Sequence, residues 1–154
     1  MGMYTGLRFK GIVKKQFRDE FEPIALRGCW EEAKDKKISN FANCSRASFI
    51  PCGALCYMPD EWEEWEDDNK RKATDGFERT YNKESGVWTF QCSLKNYENT
   101  LEDFLSLVPY FIESVEHCEV FYEGWVYSER YELIENTMVS TNNQFIQYGY
   151  DEFL

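Results

Sequence analysis

Positions 3–13 alternate between apolar and polar residues, which predicts a β-strand. The apolar side of the alternation consists of Leu7, Phe9 and Val13, and the polar side of Arg8 and Lys10. Because successive side chains of a strand point to opposite faces, we expect one buried face and one face that meets water.

The following segment, residues 15–34, has helical spacing. Its apolar face consists of Phe17, Phe21, Ile24 and Gly28, which are separated by four, three and four positions. Pro23 lacks a backbone donor, so the helix is expected to kink or to begin anew there. Gly28 can end this first helix, and residues 30–34 can form a second one.

A β-hairpin is predicted further along the chain. Residues 77–81 and 88–95 alternate on either side of a turn signal at 82–86. A helix should follow, with Asn99 and Glu102 as a capping box. Its apolar stripe consists of Leu101, Phe104, Leu105, Val108, Ile112 and Val115, and Pro109 is expected to kink it.

Further strands are expected at 119–127, 130–134 and 145–148. Residues 36–76 are the least regular part of the chain, and 47–51 is read there as a short edge strand. The element order is thus β-α-β-β-α-β, with extra C-terminal strands.

This order predicts an α+β fold of the ferredoxin-like, split β-α-β type. Its antiparallel sheet would carry two helices, with an insertion at about 36–76. We assign residues 1–154 to a single domain. Such a fold is compatible with many functions.

Composition bounds the environment of the protein. Aromatic residues make up 18% of its 154 residues, enough to build a core without disulfides or metal. The sequence has no apolar stretch of about 18 residues, and positions 1–15 lack a signal-type apolar run. We therefore expect a cytoplasmic protein that does not contact membranes, with its six cysteines reduced.

The net charge of −11 is unevenly distributed along the chain. Residues 97–154 contain 12 of the 28 acidic residues and only one of the 17 basic residues, Arg130. Such a charge distribution repels nucleic acid and anionic membranes and attracts basic partners. Direct binding to nucleic acid is therefore not expected.

The most unusual local feature is the acidic, tryptophan-containing segment 60–69. As a helix it would place Trp62 and Trp65 on one side, ringed by carboxylates; a loop is the alternative. The segment is either an exposed element anchored by its tryptophans or a docking surface for an Arg/Lys-rich groove. The predicted partner-binding residues are Asp60, Glu61, Trp62, Glu63, Glu64, Trp65, Glu66, Asp67, Asp68, Glu123 and Trp125.

Common catalytic and metal motifs are weak or missing. Cys44, Cys52 and Cys56 have an irregular spacing for zinc, although Cys29 or His117 can in principle complete a set of ligands. His117 is the single histidine, and its sequence neighbour Cys118 is expected to point away from it. The glycine patterns of phosphate-binding loops are absent from the sequence. We therefore predict no catalytic residue, metal or cofactor.

Three segments, residues 47–53, 73–79 and 88–96, resemble small uncharacterised proteins carried by bacteria and their phages, to which no activity is assigned. The resemblance covers the middle half of the chain and implies a mobile-element setting, in which inhibitors of host defence are common. It transfers no active residue.

The leading functional hypothesis is an acidic protein-binding module. In a mobile-element setting it would be an inhibitor that occupies a basic, nucleic-acid-binding surface of a host defence protein and so mimics nucleic acid. One alternative is a small-ligand-binding or enzymatic ferredoxin-like domain with a pocket near the Cys-rich insertion. A second alternative is a structural subunit that forms a homodimer through an exposed sheet face.

Overall fold

The computed structural model describes residues 3–74, 76–125 and 127–141. Its strands are β1 (Tyr4–Val13), β2 (Glu63–Asp67), β3 (Lys70–Ala73), β4 (Thr80–Tyr81), β5 (Val87–Lys95), β6 (Ile112–Tyr122), β7 (Glu129–Ile134) and β8 (Thr137–Thr141). Six of them form one sheet in the order β4-β5-β1-β6-β7-β8, with antiparallel neighbours. Strands β2 and β3 form a separate antiparallel hairpin. The α+β class is therefore confirmed.

The helices are short except for the last one. They are α1 (Glu22–Arg27), α2 (Lys36–Ser39), α3 (Phe49–Cys52) and α4 (Thr100–Phe111). Single 3₁₀ turns occur at Lys15–Glu20, Trp30–Glu32, Asn40–Asn43, Asp60–Trp62 and Tyr97–Asn99. Within the described ranges, none of the helices has the length and apolar character needed to cross a membrane.

The helices cover one face of the sheet and enclose an aromatic core. The ring of Trp88 lies at its centre, 4.6–6.4 Å from the ring centroids of Phe9, Phe21, Trp30, Phe90, Phe104 and Phe111. The indole N–H groups of the two tryptophans in this core are satisfied, because Trp88 donates to the Ala25 carbonyl (3.1 Å) and Trp30 to the Ile50 carbonyl (2.7 Å). The first bond ties α1 to β5 of the sheet, and the second ties the turn at Trp30–Glu32 to α3.

The opposite face of the sheet carries a second, smaller apolar cluster. Trp62 is buried against Phe121, with ring centroids 6.2 Å apart, and Leu55 and Met58 pack beside them. Gly6 lies directly beneath, where a Cβ atom would collide with the Met58 and Trp62 side chains. A glycine in β1 therefore allows the chain segment after α3 to lie close to this face.

Several sequence predictions are confirmed. The strand at 3–13, the turn at 82–86 and the strand at 130–134 are all present. Pro23 occupies the first turn of a new helix, and Gly28 ends that helix with a left-handed φ of 66°. The first helical segment thus begins anew at the proline instead of kinking.

The predicted helix 101–115 is wrong in its last turn, because the chain enters β6 at Ile112. Two register shifts in the β1–β6 pairing explain the error. Each β-bulge inserts an extra residue into β6, so Ile112, Val115 and Cys118 are spaced three apart although they lie in a strand. This spacing imitates helical periodicity.

The predicted capping box is also wrong. Asn99 makes no side-chain hydrogen bond to the helix. Instead Asn96 accepts a hydrogen bond from the Leu101 amide and donates one to Glu102, both at 2.8 Å. The asparagine three residues earlier reaches these groups because Glu98 and Asn99 turn the chain with positive φ angles of 58° and 62°.

Two predicted strands are shorter or different. Residues 47–51 form no edge strand, and the chain from Phe49 to Cys52 turns as α3. The first strand of the 77–95 hairpin is restricted to Thr80–Tyr81, because Phe77 closes a turn by donating to the Thr74 carbonyl. The strand predicted at 145–148 lies outside the described residues.

Asp35 is the N-cap of α2, and its replacement by alanine is expected to lower the free energy of unfolding by about 1 kcal/mol. One of its carboxylate oxygens accepts from the amides of Lys37 (2.9 Å) and Ile38 (3.1 Å), and the other accepts from the Tyr110 hydroxyl (2.6 Å). Partial burial raises the pKa of Asp35, but these hydrogen bonds lower it by a larger amount. The pKa of Asp35 therefore lies below its ordinary value.

A carboxyl group with a lowered pKa stabilises the fold above its unfolded pKa, and this contribution is lost as the pH falls. The difference between wild type and D35A should therefore shrink below about pH 4. Urea unfolding at neutral and acidic pH measures it, with D35N as the control that keeps an acceptor. Equal midpoints for wild type and D35A at neutral pH would contradict the assigned cap.

Candidate functional site

The acidic segment forms a β-hairpin, residues 60–73, which we call the acidic hairpin. The hypothesis of a helix is therefore wrong. The two tryptophans lie in different environments: Trp62 is fully buried, whereas Trp65 is 66% exposed. Trp62 anchors the hairpin to the sheet. It belongs to the core, so its predicted position on the partner-binding surface is wrong. Trp65 is the aromatic group that the hairpin presents to solvent.

Cross-strand ion pairs run along the acidic hairpin. They are Glu66–Lys70 (3.3 Å), Glu64–Lys72 (3.6 Å), Asp60–Arg71 (3.7 Å) and Glu63–Arg71 (4.0 Å). The guanidinium of Arg71 also lies 5.4 Å from the centre of the Trp65 ring. Exposed pairs of this kind contribute little stability individually, but together they fix the register of a hairpin that has no apolar face.

The acidic hairpin keeps a negative excess despite these pairs. Its seven acidic residues face three basic ones. Asp67 accepts a hydrogen bond from the Asn69 amide (2.9 Å) and shapes the turn, and Asp68 is exposed beside it. The tip, residues 67–68, is therefore its most anionic part. Glu61, also exposed, precedes the first strand.

The other two predicted partner-binding residues lie after β6. Glu123 accepts a hydrogen bond from the Tyr4 amide (2.8 Å), which ties it to the start of β1. Trp125 is 57% exposed, and its ring lies 4.8 Å from that of Tyr122. These contacts are with β1 and β6, whereas the acidic hairpin joins the sheet through Trp62 and Phe121.

A charged cluster that the sequence did not reveal lies on the sheet face beneath the acidic hairpin. Arg8 is only 6% exposed, and Glu119, directly opposite it on β6, is fully buried. His117 Nε2 lies 2.8 Å from the Glu119 carboxylate. The alternation of β1 predicts that Arg8 points away from the main core, but nothing local in the sequence indicates that this second face is covered.

The guanidinium of Arg8 connects this cluster to the residues that cover it, which include Thr74 and Phe77. It donates to Gln91 (3.1 Å) and to the Thr74 hydroxyl, and it stacks 3.7 Å from the centre of the Phe77 ring. Gln91 in turn donates to the Trp62 carbonyl (2.8 Å). Arg8 and Gln91 therefore hold both ends of the acidic hairpin on the sheet.

The cysteines are distributed over several environments. Across the described ranges, no three His, Cys, Asp or Glu side chains come together as metal ligands. Cys44 donates weakly to Asp103, Cys52 to the Leu26 carbonyl, and His117 lies on the other face of the sheet. Burial raises the pKa of Cys44 and Cys52, and in Cys44 the nearby Asp103 charge raises it further. These thiols are poor nucleophiles at neutral pH.

A cavity lies between the Cys-rich insertion and the turn at Trp30–Glu32. It has a volume of about 320 Å³ and includes Trp30, Glu31, Cys44 and Arg46 in its wall. The guanidinium of Arg46 stacks 4.7 Å from the centre of the Tyr97 ring. The cavity is of the size that small molecules occupy.

Comparison with known proteins adds no relative to this description: a scan of protein-family models, a search of curated proteins and a search of solved structures each returned no match.

Proposed function

We propose that this protein is an acidic binding module that docks on a basic surface of another protein. The observation that carries the proposal is Trp65, which is exposed on a hairpin with an excess of carboxylates. An aromatic anchor in an acidic rim is complementary to a groove rich in arginine and lysine. The network of Arg8, Gln91 and Trp62 supports the idea, because it holds the hairpin in place before binding.

The basic surface we propose is a nucleic-acid-binding surface of a host defence protein in the cytoplasm. Such surfaces bind phosphate mainly through electrostatics, so clustered carboxylates can compete for them. The resemblance of residues 47–53, 73–79 and 88–96 to phage-borne proteins makes an inhibitor the natural role. The net charge of −11 favours attraction to a cationic partner from a distance.

The triple variant W65A/D67K/D68K is expected to weaken partner binding by at least about tenfold. Asp67 and Asp68 are chosen because Glu63 and Glu64 already pair with basic residues of β3. Wild type and variant serve as baits in bacterial lysate at low and high salt, and each captured protein is then tested for displacement of a labelled oligonucleotide.

The matched control is E31K/E32K, which changes the net charge equally. Both glutamates are exposed on a turn next to Trp30, on the helix-covered side of the sheet. The E31K/E32K control should retain partner binding. A partner that binds all three proteins equally, with no dependence on salt, would contradict the docking surface.

We also infer the finer topology predicted from the sequence. In the sheet, strands β4, β5, β1 and β6 lie in this order with antiparallel neighbours. Along the chain, α1 comes after β1 and before the β4–β5 pair, and α4 connects β5 to β6. This arrangement supports a ferredoxin-like, split β-α-β unit, extended by β7 and β8 and interrupted by the acidic hairpin.

A small-ligand function near the Cys-rich insertion is the second candidate. The 320 Å³ cavity beside Cys44 and Arg46 is the observation that favours it. A co-purifying small molecule, identified by mass spectrometry after denaturation and lost in an Arg46→Ala variant, is the expected result. A protein that releases nothing on denaturation would argue against it.

A further inference from the structure

A second cavity adjoins the charged face of the sheet and is separate from both sites above. It has a volume of about 370 Å³, within the range of small-molecule sites. Its wall includes Lys10 and Ile12 of β1, Val87 and Thr89 of β5, and Val115 and Glu116 of β6. Lys10 lies opposite His117 and Thr89 in the sheet, which places its side chain on the face that carries Arg8.

A β-bulge supplies the acidic group of this cavity. Lys10 pairs with His117 whereas Gly11 pairs with Val115, so Glu116 has no partner on β1. Bulges redirect side chains and occur preferentially beside functional sites. The bulge here places Glu116 on the rim of a cavity whose floor includes Ile12 and Val87, which pair with each other on the face that carries Lys10.

The ammonium of Lys10 is held in position by Phe77 and Gly76. Its Nζ lies 4.6 Å from the centre of the Phe77 ring, and a Cβ at position 76 would collide with it. Among the residues that the structure describes, neither Lys10 nor Glu116 has an ion-pair partner within 4.0 Å, and the two do not pair with each other. In a chain with 28 acidic and 17 basic residues, a half-buried lysine that pairs with none of the described carboxylates can accept an external anion.

We propose that this cavity binds a small zwitterion with an apolar body, of the α-amino-acid class. The ligand carboxylate bonds to the Lys10 ammonium, and the ligand ammonium bonds to the Glu116 carboxylate. The apolar body contacts Ile12 and Val87. Binding joins two opposite charges that line one cavity without touching each other. This site is independent of the acidic hairpin, so either proposal can fail alone.

Three probes with the same phenyl ring distinguish the contribution of the ligand carboxylate from that of the ligand ammonium. They are L-phenylalanine, 3-phenylpropanoate and phenethylamine. Each is titrated from about 1 mM upwards, where weak sites fill, into the ¹⁵N-labelled full chain while amide shifts are recorded. L-Phenylalanine should shift the amides of Lys10, Thr89 and Val115, and bind at least about tenfold more tightly than either single-charge probe.

Two variants complete the test. Lys10→Met should weaken L-phenylalanine at least about tenfold, whereas Glu116→Gln should weaken L-phenylalanine and leave 3-phenylpropanoate unchanged. Glu116 is exposed at a bulge, so this variant tests the site even if the lysine variant fails to fold. Equal binding of all three probes, shifts that Lys10→Met and Glu116→Gln both leave unaltered, or no shift around the cavity would overturn the proposal.

Discussion

Replacing Trp88 with alanine is expected to lower the free energy of unfolding by about 3–5 kcal/mol. The side chain is fully buried, lies against aromatic residues of β1, β5 and α4 and against Phe21 just before α1, and donates its indole N–H to the Ala25 carbonyl. Its removal leaves a cavity that rigid neighbouring rings cannot fill, and it leaves the Ala25 carbonyl without this donor. Chemical denaturation measures the loss as a shift of the midpoint at constant slope.

Two variants control this result. Trp125→Ala removes an exposed indole and should cost about 1 kcal/mol or less, because it loses mainly the contact with Tyr122. Trp88→Phe keeps an aromatic ring but not the hydrogen bond, so its stability should lie between those of wild type and alanine. If Trp88→Ala and Trp125→Ala shifted the midpoint equally, the sheet would not be organised around Trp88.

Elements with a regular apolar pattern were predictable from sequence. Strand β1, the turn before β5 and the restart at Pro23 depend on neighbouring residues only, so local spacing and turn chemistry suffice. Strand β6 failed for a physical reason. Its bulges depend on pairing with β1, about 100 residues earlier, and the pairing determines which residues face the core.

The acidic hairpin was not predictable as a strand pair, because it has no apolar face. Cross-strand pairs such as Glu64–Lys72, together with the burial of Trp62 on Phe121, stabilise it. Helical and loop readings therefore fitted the same run of acids. The charge excess was visible in sequence, but its partial neutralisation by β3 was not.

Buried charge is the feature that sequence reasoning is least able to find. Arg8 and Glu119 both belong to residue types that are almost always exposed unless paired. They are buried because residues 54–74, together with Phe77, fold back over the second face of the sheet, a contact between distant parts of the chain. The same covering segment presents Trp65 to solvent, so the proposed docking surface depends on this buried network.

That dependence leads to the second large effect. Replacing Arg8 with methionine is expected to lower the free energy of unfolding by about 3–5 kcal/mol, because fully buried Glu119 loses the cation opposite it. The hydrogen bonds to Gln91 and Thr74 disappear as well. Because these bonds hold the acidic hairpin, the R8M substitution should increase hydrogen exchange, relative to wild type, more at the amides of the hairpin than at those of β5.

The double variant R8M/E119Q distinguishes buried charge from lost packing. A glutamine at 119 is neutral and can still bond to His117, so the double variant should recover more than half of the stability lost in R8M. Arg79 is exposed, so R79M removes the same charge at a cost of about 0.5 kcal/mol or less. If R8M/E119Q were as unstable as the sum of its single variants, Arg8 would act through its hydrogen bonds and its stacking on Phe77 and Trp62, and not through Glu119. The acidic hairpin would then be held without the charge of Glu119, and partner binding should survive neutralisation of Glu119.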